Sequence, residues 1–107
     1  MSGVAVFAGR FASQPLAFAH LLDAAEAAGL ALDVDHVEVI CGGDPAPRLA
    51  HVFGPADCPA IRAAQGTDDT LLLIFPEALV PGAQLFSQTA RLRPLGRFPA
   101  RAPRIRA

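Results

Sequence analysis

Residues 71–75 form the most hydrophobic stretch of the sequence, with five large apolar side chains and no polar residue among them. A strand that is covered on both faces has this pattern, whereas a strand with one wet face alternates between apolar and polar residues. The stretch is too short for a buried helix, and Gly66 and Pro76 bracket it. We therefore predict that residues 71–75 are the central and most buried strand of a sheet.

Three other segments also have the pattern of strands. Residues 4–7 are a short apolar run, and residues 34–40 alternate, so that one face of that strand should be wetter. Residues 91–98 are predicted to be the last strand. Pro94 confines this strand to an edge of the sheet, because proline has no backbone N–H to donate.

Helical patterns separate the first three of these strands. The first is an alanine-rich helix with Ser13 as its predicted N-cap and Gly29 as its predicted end. Two shorter helices are predicted at residues 45–54 and 57–66, and an aspartate stands at the start of each. The apolar side chains of the long helix recur at helical spacing and should face the sheet, namely Phe18, Leu21, Leu22, Ala25 and Ala28.

The order of these elements predicts a single domain. Helical crossovers favour parallel pairing of the strands that they connect, and a turn at Pro81-Gly82 can return the last strand antiparallel. We therefore expect a small α/β (or α+β) domain at residues 1–98, with about four strands in a mostly parallel mixed sheet, one long helix and two short helices. A Pro- and Arg-rich tail, residues 99–107, should follow it.

The net charge of −1 conceals an asymmetry along the chain. All ten acidic residues lie at or before Glu77, together with three of the nine arginines, and the other six arginines follow Ala78. Two interpretations stay open. Either the basic C-terminal part folds back on the acidic body or is solvated, or the charges serve to bind a partner.

The segment CGGDPAPR, which begins at Cys41, is the main candidate for catalysis. If the strands are parallel, it shares a sheet edge with Gly9-Arg10 and Pro76-Glu77, where ligands of open α/β sheets bind. Cysteine phosphatases have a similar loop, but with five residues between Cys and Arg, whereas six stand between Cys41 and Arg48. Asp44 adds a negative charge where the phosphate would sit, so we predict a structural thiol there.

No cofactor or metal site is predicted from the sequence. The cysteines and histidines lack the short spacing of a zinc site, and dinucleotide and Walker motifs are absent. The N-terminus lacks the pattern of a signal peptide, and no apolar run approaches membrane-spanning length, which predicts a cytoplasmic protein with free thiols. Nucleic-acid binding is disfavoured because the body is acidic.

Two segments at the ends of the chain resemble a known family. The opening VAVFAGRFAS, followed by an amphipathic helix, is similar to the opening of immunity protein family 22 of bacterial polymorphic toxin systems. LRPLGRFP resembles the final strand of that family, and LLLIFPEAL occupies the place of its buried strand. Gly9, Phe11, Gly96 and Phe98 match the family's pattern, where a scaffold role suits them.

This resemblance implies a non-enzymatic inhibitor that binds and blocks a cognate toxin, such as a nuclease or another effector with a basic surface. The alternatives are a small enzyme that uses the Cys41 loop and a generic protein-interaction module. We predict that acids of the body steer binding and that loop apolar residues supply buried contacts. The same acids could instead act as helix caps and solubilising groups. The candidate toxin-binding residues are Asp44, Asp57, Asp68, Asp69, Glu77, Leu79, Val80 and Phe86.

Overall fold

The computed structural model describes residues 3–101, in which a four-stranded sheet lies between helices on its two faces. The strands stand in the order β2-β3-β1-β4. Short 3₁₀ turns at Val34–His36 and Pro76–Ala78 flank β2 and β3. The strands and α-helices, in chain order, are β1 (Val4–Gly9), α1 (Gln14–Ala27), β2 (Val37–Cys41), α2 (Ala46–Val52), α3 (Asp57–Gln65), β3 (Thr70–Ile74) and β4 (Arg93–Phe98).

All three strand pairings in the described sheet are antiparallel, so the fold is α+β and the prediction of a mostly parallel sheet is wrong. Thr70 of β3 lies between Gly9 of β1 and Cys41 of β2. On the other side of β1, Ala8 pairs with Arg93 of β4. These residues mark one end of the sheet, which we call the Thr70 end. The opposite end, marked by Ile74, is the Ile74 end.

The connection between β2 and β3 explains why the predicted direction fails. A single helix carries the chain from one end of a sheet to the other, and α1 does this between β1 and β2, which point the same way. Two consecutive helices, α2 and α3, instead bring the chain back to the end it left. The backbone N–H of Gly42, just after β2, donates to Asp69 O, just before β3, over 2.8 Å. β3 therefore enters antiparallel, between β1 and β2.

β3 is buried along its full length, which confirms the interpretation of the apolar run as a central strand. Its side chains alternate between two separate cores. Leu72 and Ile74 pack on the face that α1 covers, while Leu71 and Leu73 pack with Leu49, Val52, Phe53 and Ile61 from α2, α3 and the residue after α2. A strand between two helical layers needs apolar residues at every position, which is why it lacks alternation.

The long helix begins as predicted, because Ser13 Oγ accepts the Leu16 N–H. The face that α1 buries differs from the predicted one, however. Leu21 and Ala25 are buried and Phe18 is half-buried, but Leu22 is 43% exposed and Ala28 is exposed. Ala17 is buried as well, one turn before Leu21, and its small side chain is one that hydrophobicity alone does not single out.

Residues 79–92, which we call the crossing loop, contain no helix or strand and connect the Ile74 end to the start of β4 at the Thr70 end. The loop packs on the α1 face of the sheet. The ring centroid of Phe86 lies 5.6 Å from that of Phe7, and Leu92 is buried in the same core. The crossing loop thus completes the layer that α1 begins.

β4 is an edge strand, as Pro94 predicted. Beyond it, Ala100 bridges to Phe53, and the Arg101 N–H donates to Val52 O over 2.7 Å. The first residues of the predicted tail therefore lie against the end of α2, and residues 102–107 lie outside the described part. Within residues 3–101, no helix is long and apolar enough to cross a membrane.

Candidate functional site

The antiparallel sheet separates the candidate binding residues into groups. The Thr70 end holds Asp68 and Asp69, which precede β3, and Asp44, which follows β2. The Ile74 end holds Glu77, which follows β3. The predicted shared edge of the loops at Gly9-Arg10, Cys41 and Glu77 is therefore wrong for the third loop. Residues 88–93 take its place beside Gly9-Arg10 at the Thr70 end.

Asp68 is held by two arginines. Its Oδ2 accepts hydrogen bonds from Arg93 Nη2 at 2.8 Å and from Arg93 Nε at 3.2 Å. Its Oδ1 lies 3.4 Å from Arg10 Nε, and the side chain is only 17% exposed. Because both oxygens already face guanidinium groups of this chain, the Asp68 carboxylate is poorly placed to pair with a basic group of a partner. The pair with Arg93 also joins the basic C-terminal part to the acidic body.

Asp69 connects the Phe11 loop to the start of β3. Its Oδ1 accepts a hydrogen bond from the Thr70 hydroxyl at 2.7 Å and from the Phe11 N–H at 3.1 Å. These bonds, that from Thr70 above all, lower the pKa of the Asp69 carboxyl below its usual range because they stabilise the charged form. Asp69 thus stabilises the contact between the Phe11 loop and β3.

Asp44 and Asp57 stand at the two short helices. Asp44 Oδ1 accepts the Ala46 N–H at 3.0 Å at the start of α2, and Arg62 Nη1 lies 3.4 Å from the same oxygen. The Asp44 side chain is still 71% exposed, so it remains open to a partner. Asp57 is half-buried as the first residue of α3, with Ala56 rather than Asp57 in the N-cap position.

The Cys41 loop differs from the loop of a cysteine phosphatase. Cys41 Sγ is half-buried, lies 3.6 Å from Phe11 O as a donor, and is 3.4 Å from the Thr70 hydroxyl. Arg48, the residue that would bind phosphate in a phosphatase loop, is instead paired with Glu38 through Nε and Nη2. The arginine of the proposed motif therefore serves to join α2 to β2.

Glu77, Leu79 and Val80 are brought together at the Ile74 end, in a groove of about 750 Å³ that we call the loop groove. Val80 is 62% exposed and Leu79 is half-buried. Arg97 of β4 lines the same groove, so that a carboxylate and a guanidinium accompany an apolar floor. The remaining lining residues are Pro76, Pro81, Gly82, Ala83, Gln84 and Leu85.

Phe86 does not belong to this groove, contrary to its placement among the binding residues. Its ring is half-buried against Phe7 in the core of the α1 face. The sequence also did not single out Leu85 and Arg97, which the structure places beside Val80. Arg97 alternates with Phe98 on an edge strand, which is the one signal that could have marked it as outward-facing.

Among residues 3–101, no three His, Cys, Asp or Glu side chains are grouped so that they could hold a metal ion. Comparison with known proteins does not identify a family. No family model matches the chain, and the searches of curated proteins and of solved structures also return no match. The similarity to immunity protein family 22 therefore stays a prediction from the short segments that carry it.

Proposed function

We propose that this chain is a non-enzymatic binding protein that attaches to a partner protein through the loop groove, and that the partner is a cognate bacterial toxin which it blocks. The observation that carries the proposal is the exposed apolar side chain of Val80, in a groove that Leu79, Glu77 and Arg97 also line. The resemblance to immunity proteins supplies the class of partner.

The loop groove has the composition of a small protein-binding site. Interfaces place apolar anchors at their centre and polar groups at their rim, and a few anchors carry most of the binding energy. Val80 and Leu79 are suited to the centre. Glu77 and Arg97 supply polar groups of opposite charge, and Glu77 forms no ion pair with another described residue. A basic group of a partner can therefore pair with the Glu77 carboxylate without breaking an ion pair between described residues.

The electrostatic part of the proposal is narrower than the sequence predicted. Asp68 and Asp69 are engaged within the fold, so they are poor candidates for contact with a basic toxin surface. Glu77 and the exposed Asp44 keep that role, and they lie at opposite ends of the sheet. Only Glu77 adjoins the apolar anchors, and it is the acid on which the proposal depends.

The test is whether a toxin domain is encoded beside the gene for this chain and whether the chain protects the growth of a bacterial host that expresses that domain. Wild type should restore growth, and Val80→Asp should weaken binding to the purified toxin about 30-fold, since it places a charge at a binding anchor. Leu22→Asp is the matched control, because Leu22 is also an exposed apolar residue but lies on α1. Its affinity should equal that of wild type.

Two results would contradict the proposal in different ways. If wild type gives no protection and does not bind the toxin, the chain is not its immunity protein. If it protects but Val80→Asp binds as well as wild type, the contact lies elsewhere than in the loop groove. A folded Cys41→Ser variant must protect fully, and its failure would favour an enzyme that uses the Cys41 loop.

A further inference from the structure

A second groove, of about 350 Å³, lies at the Thr70 end and has a different character. We call it the arginine groove. Arg10 comes from the loop after β1, Arg91 from the crossing loop and Arg93 from the start of β4. Three guanidinium groups and the single carboxylate of Asp68 thus line one small concave surface. The other lining residues are Ala8, Gly9, Gln88, Thr89, Ala90 and Leu92.

The three arginines are held in place by the fold. Arg93 Nη2 donates to Ala64 O and Gln65 O at 3.0 Å, in addition to its bonds with Asp68. Arg91 Nη2 donates to Arg10 O at 2.6 Å, and its guanidinium carbon lies 4.3 Å from the centre of the Phe11 ring. These contacts reduce the entropy that the side chains would lose when they bind a ligand.

Arg10 is the most open of the three. Its Nη2 donates to Thr67 Oγ1 at 2.7 Å, and its side chain is still 63% exposed. A guanidinium has five N–H bonds, and the hydrogen bonds described above leave at least one N–H of each arginine unused. Donors therefore remain for a ligand in the groove.

The charges that line the groove do not cancel. Three arginines face one carboxylate, which leaves an excess of two positive charges. Asp69 does not line the groove, but its carboxylate interacts electrostatically with Arg10 and so reduces this excess. Arg10 and Arg93 share the Asp68 carboxylate, whereas Arg91 forms no ion pair with another described residue. An anion in the groove would reduce the repulsion among the three guanidinium groups.

We propose that the arginine groove binds a phosphate dianion, either free phosphate or the phosphate group of a small monoester. A phosphate monoester carries about −1.5 to −2 charges at pH 7, which matches the excess positive charge. The planar fork of arginine binds phosphate oxygens in pairs. The groove volume lies at the lower end of the range for small-molecule sites, which suits a ligand no larger than a mononucleotide.

A long polyanion is the less suitable ligand. The chain as a whole carries a net charge of −1, with ten acidic residues against nine arginines. Nucleic acids gain affinity from many phosphate contacts along an extended basic surface, which a single groove cannot provide. The inference is independent of the proposed toxin contact, because the two grooves share no residue.

The test is an NMR titration of the arginine side-chain Nε–H signals at pH 7, with inorganic phosphate and with adenosine monophosphate. Both probes should shift the Arg10, Arg91 and Arg93 signals to saturation, with a Kd of about 1 mM or tighter. Equal Kd values assign the groove to free phosphate, and a lower Kd for the nucleotide assigns it to an organic monoester. Sodium chloride at the same ionic strength should not give saturating shifts.

Substitutions distinguish a binding role from a structural one. Arg91→Gln and Arg10→Gln should each weaken binding about tenfold, since each removes a charge-assisted hydrogen bond. Asp68→Asn should instead strengthen phosphate binding, because it removes the competing carboxylate, although it also removes the two internal ion pairs with Arg10 and Arg93. Arg97→Gln, in the loop groove, is the matched control and should bind as wild type does.

Absence of saturable shifts would overturn the proposal, as would affinity that Arg91→Gln and Arg10→Gln both leave unchanged. An oligonucleotide that binds far more tightly than adenosine monophosphate would also overturn it, in favour of a nucleic-acid surface. The melting temperature of each variant, measured without ligand, shows that any loss of binding occurs in a folded chain.

Discussion

His20 is the titratable group of α1 whose environment favours the neutral form. Thr89 Oγ1 accepts the N–H groups of Leu92 and Arg91, at 3.0 and 3.3 Å, so its own proton is free to be donated to His20 Nε2, 2.6 Å away. Burial lowers the pKa of His20 and the charge of Arg91 lowers it further, while Asp23 opposes them. The neutral ring therefore helps to anchor the crossing loop to α1.

We predict that acid weakens the fold through His20. Because the pKa of His20 is lower in the folded than in the unfolded chain, the unfolded chain binds the proton first. Its contribution to stability should be full above about pH 6.5 and should decrease as the pH falls from there through the lower folded value. The measurement is the free energy of unfolding in urea between pH 5 and 8. The decline should be smaller for His20→Gln, and an identical pH profile for the two proteins would contradict the prediction.

Gly9 shows how closely two loops approach at the Thr70 end. A Cβ atom there would clash with the carbonyl oxygen of Arg91 and would lie 3.0 Å from the Phe11 ring. We predict that Gly9→Ala lowers the free energy of unfolding by about 1–3 kcal/mol, because the crossing loop must shift. Gly54→Ala is the control, since a Cβ at Gly54 meets nothing within 4 Å. The free energy of unfolding in denaturant should therefore be lower for Gly9→Ala than for Gly54→Ala. Equal values would show that β1 and the crossing loop are not closely packed at Gly9.

Among the secondary-structure elements, β3 is a central strand that contributes side chains to both cores. Leu73 is fully buried in the core of α2 and α3. Leu73→Ala should cost about 2–5 kcal/mol, and Leu73→Asp should prevent folding because it buries an unpaired charge. Leu22→Ala, on the exposed side of α1, should change stability by much less. Urea unfolding of the alanine variants provides the comparison. A melting temperature of Leu73→Asp equal to that of wild type would exclude a central position for β3.

The elements that the sequence predicted best are those with local signals. Ser13 marked a helix start by its capping hydroxyl, Gly66 marked a helix end by its positive φ, and Pro94 marked an edge strand by its missing N–H. The apolar run of β3 could be recognised without knowledge of its neighbours. The position of Phe86 could not be predicted in the same way. Its partner, Phe7, is distant in the sequence, and the crossing loop has no periodicity that would reveal which side chains turn inward.

Strand direction and the grouping of binding residues are properties of the complete sheet. The sequence showed two helices between β2 and β3, but their number decides the direction of β3 only if both run the length of the sheet. The separation of Glu77 from Asp44 and Asp68 follows from that direction. The pairing of Asp68 with Arg93 was one of two open interpretations of the charge asymmetry, and local sequence could not choose between them.

Both edges of the sheet carry features that oppose pairing with another chain. Gln14 Nε2 donates to Val39 O of β2 at 3.0 Å, and β4 contains Pro94 and a shift in register opposite Val6/Phe7. Proline and bulges are known means of protecting edge strands. We predict a monomer for wild type and increased self-association for the Gln14→Ala/Pro94→Val double variant. Analytical ultracentrifugation measures this, with Gln88→Ala as control, and a fully monomeric double variant would contradict the prediction.

The pairing of β1 has a consequence for how the chain is made. Of the four described strands, β1 is the first to leave the ribosome, but its partners in the sheet are β3 and β4, and the register places Ala8 opposite Leu71 and Arg93. At about 5–20 residues per second, synthesis leaves the backbone N–H and C=O groups of β1 without a partner strand for several seconds. Strand pairing between segments so distant in sequence is also slow to form. The nascent N-terminal strand is therefore the segment on which a chaperone would act, and the sheet closes only after the last strand has emerged.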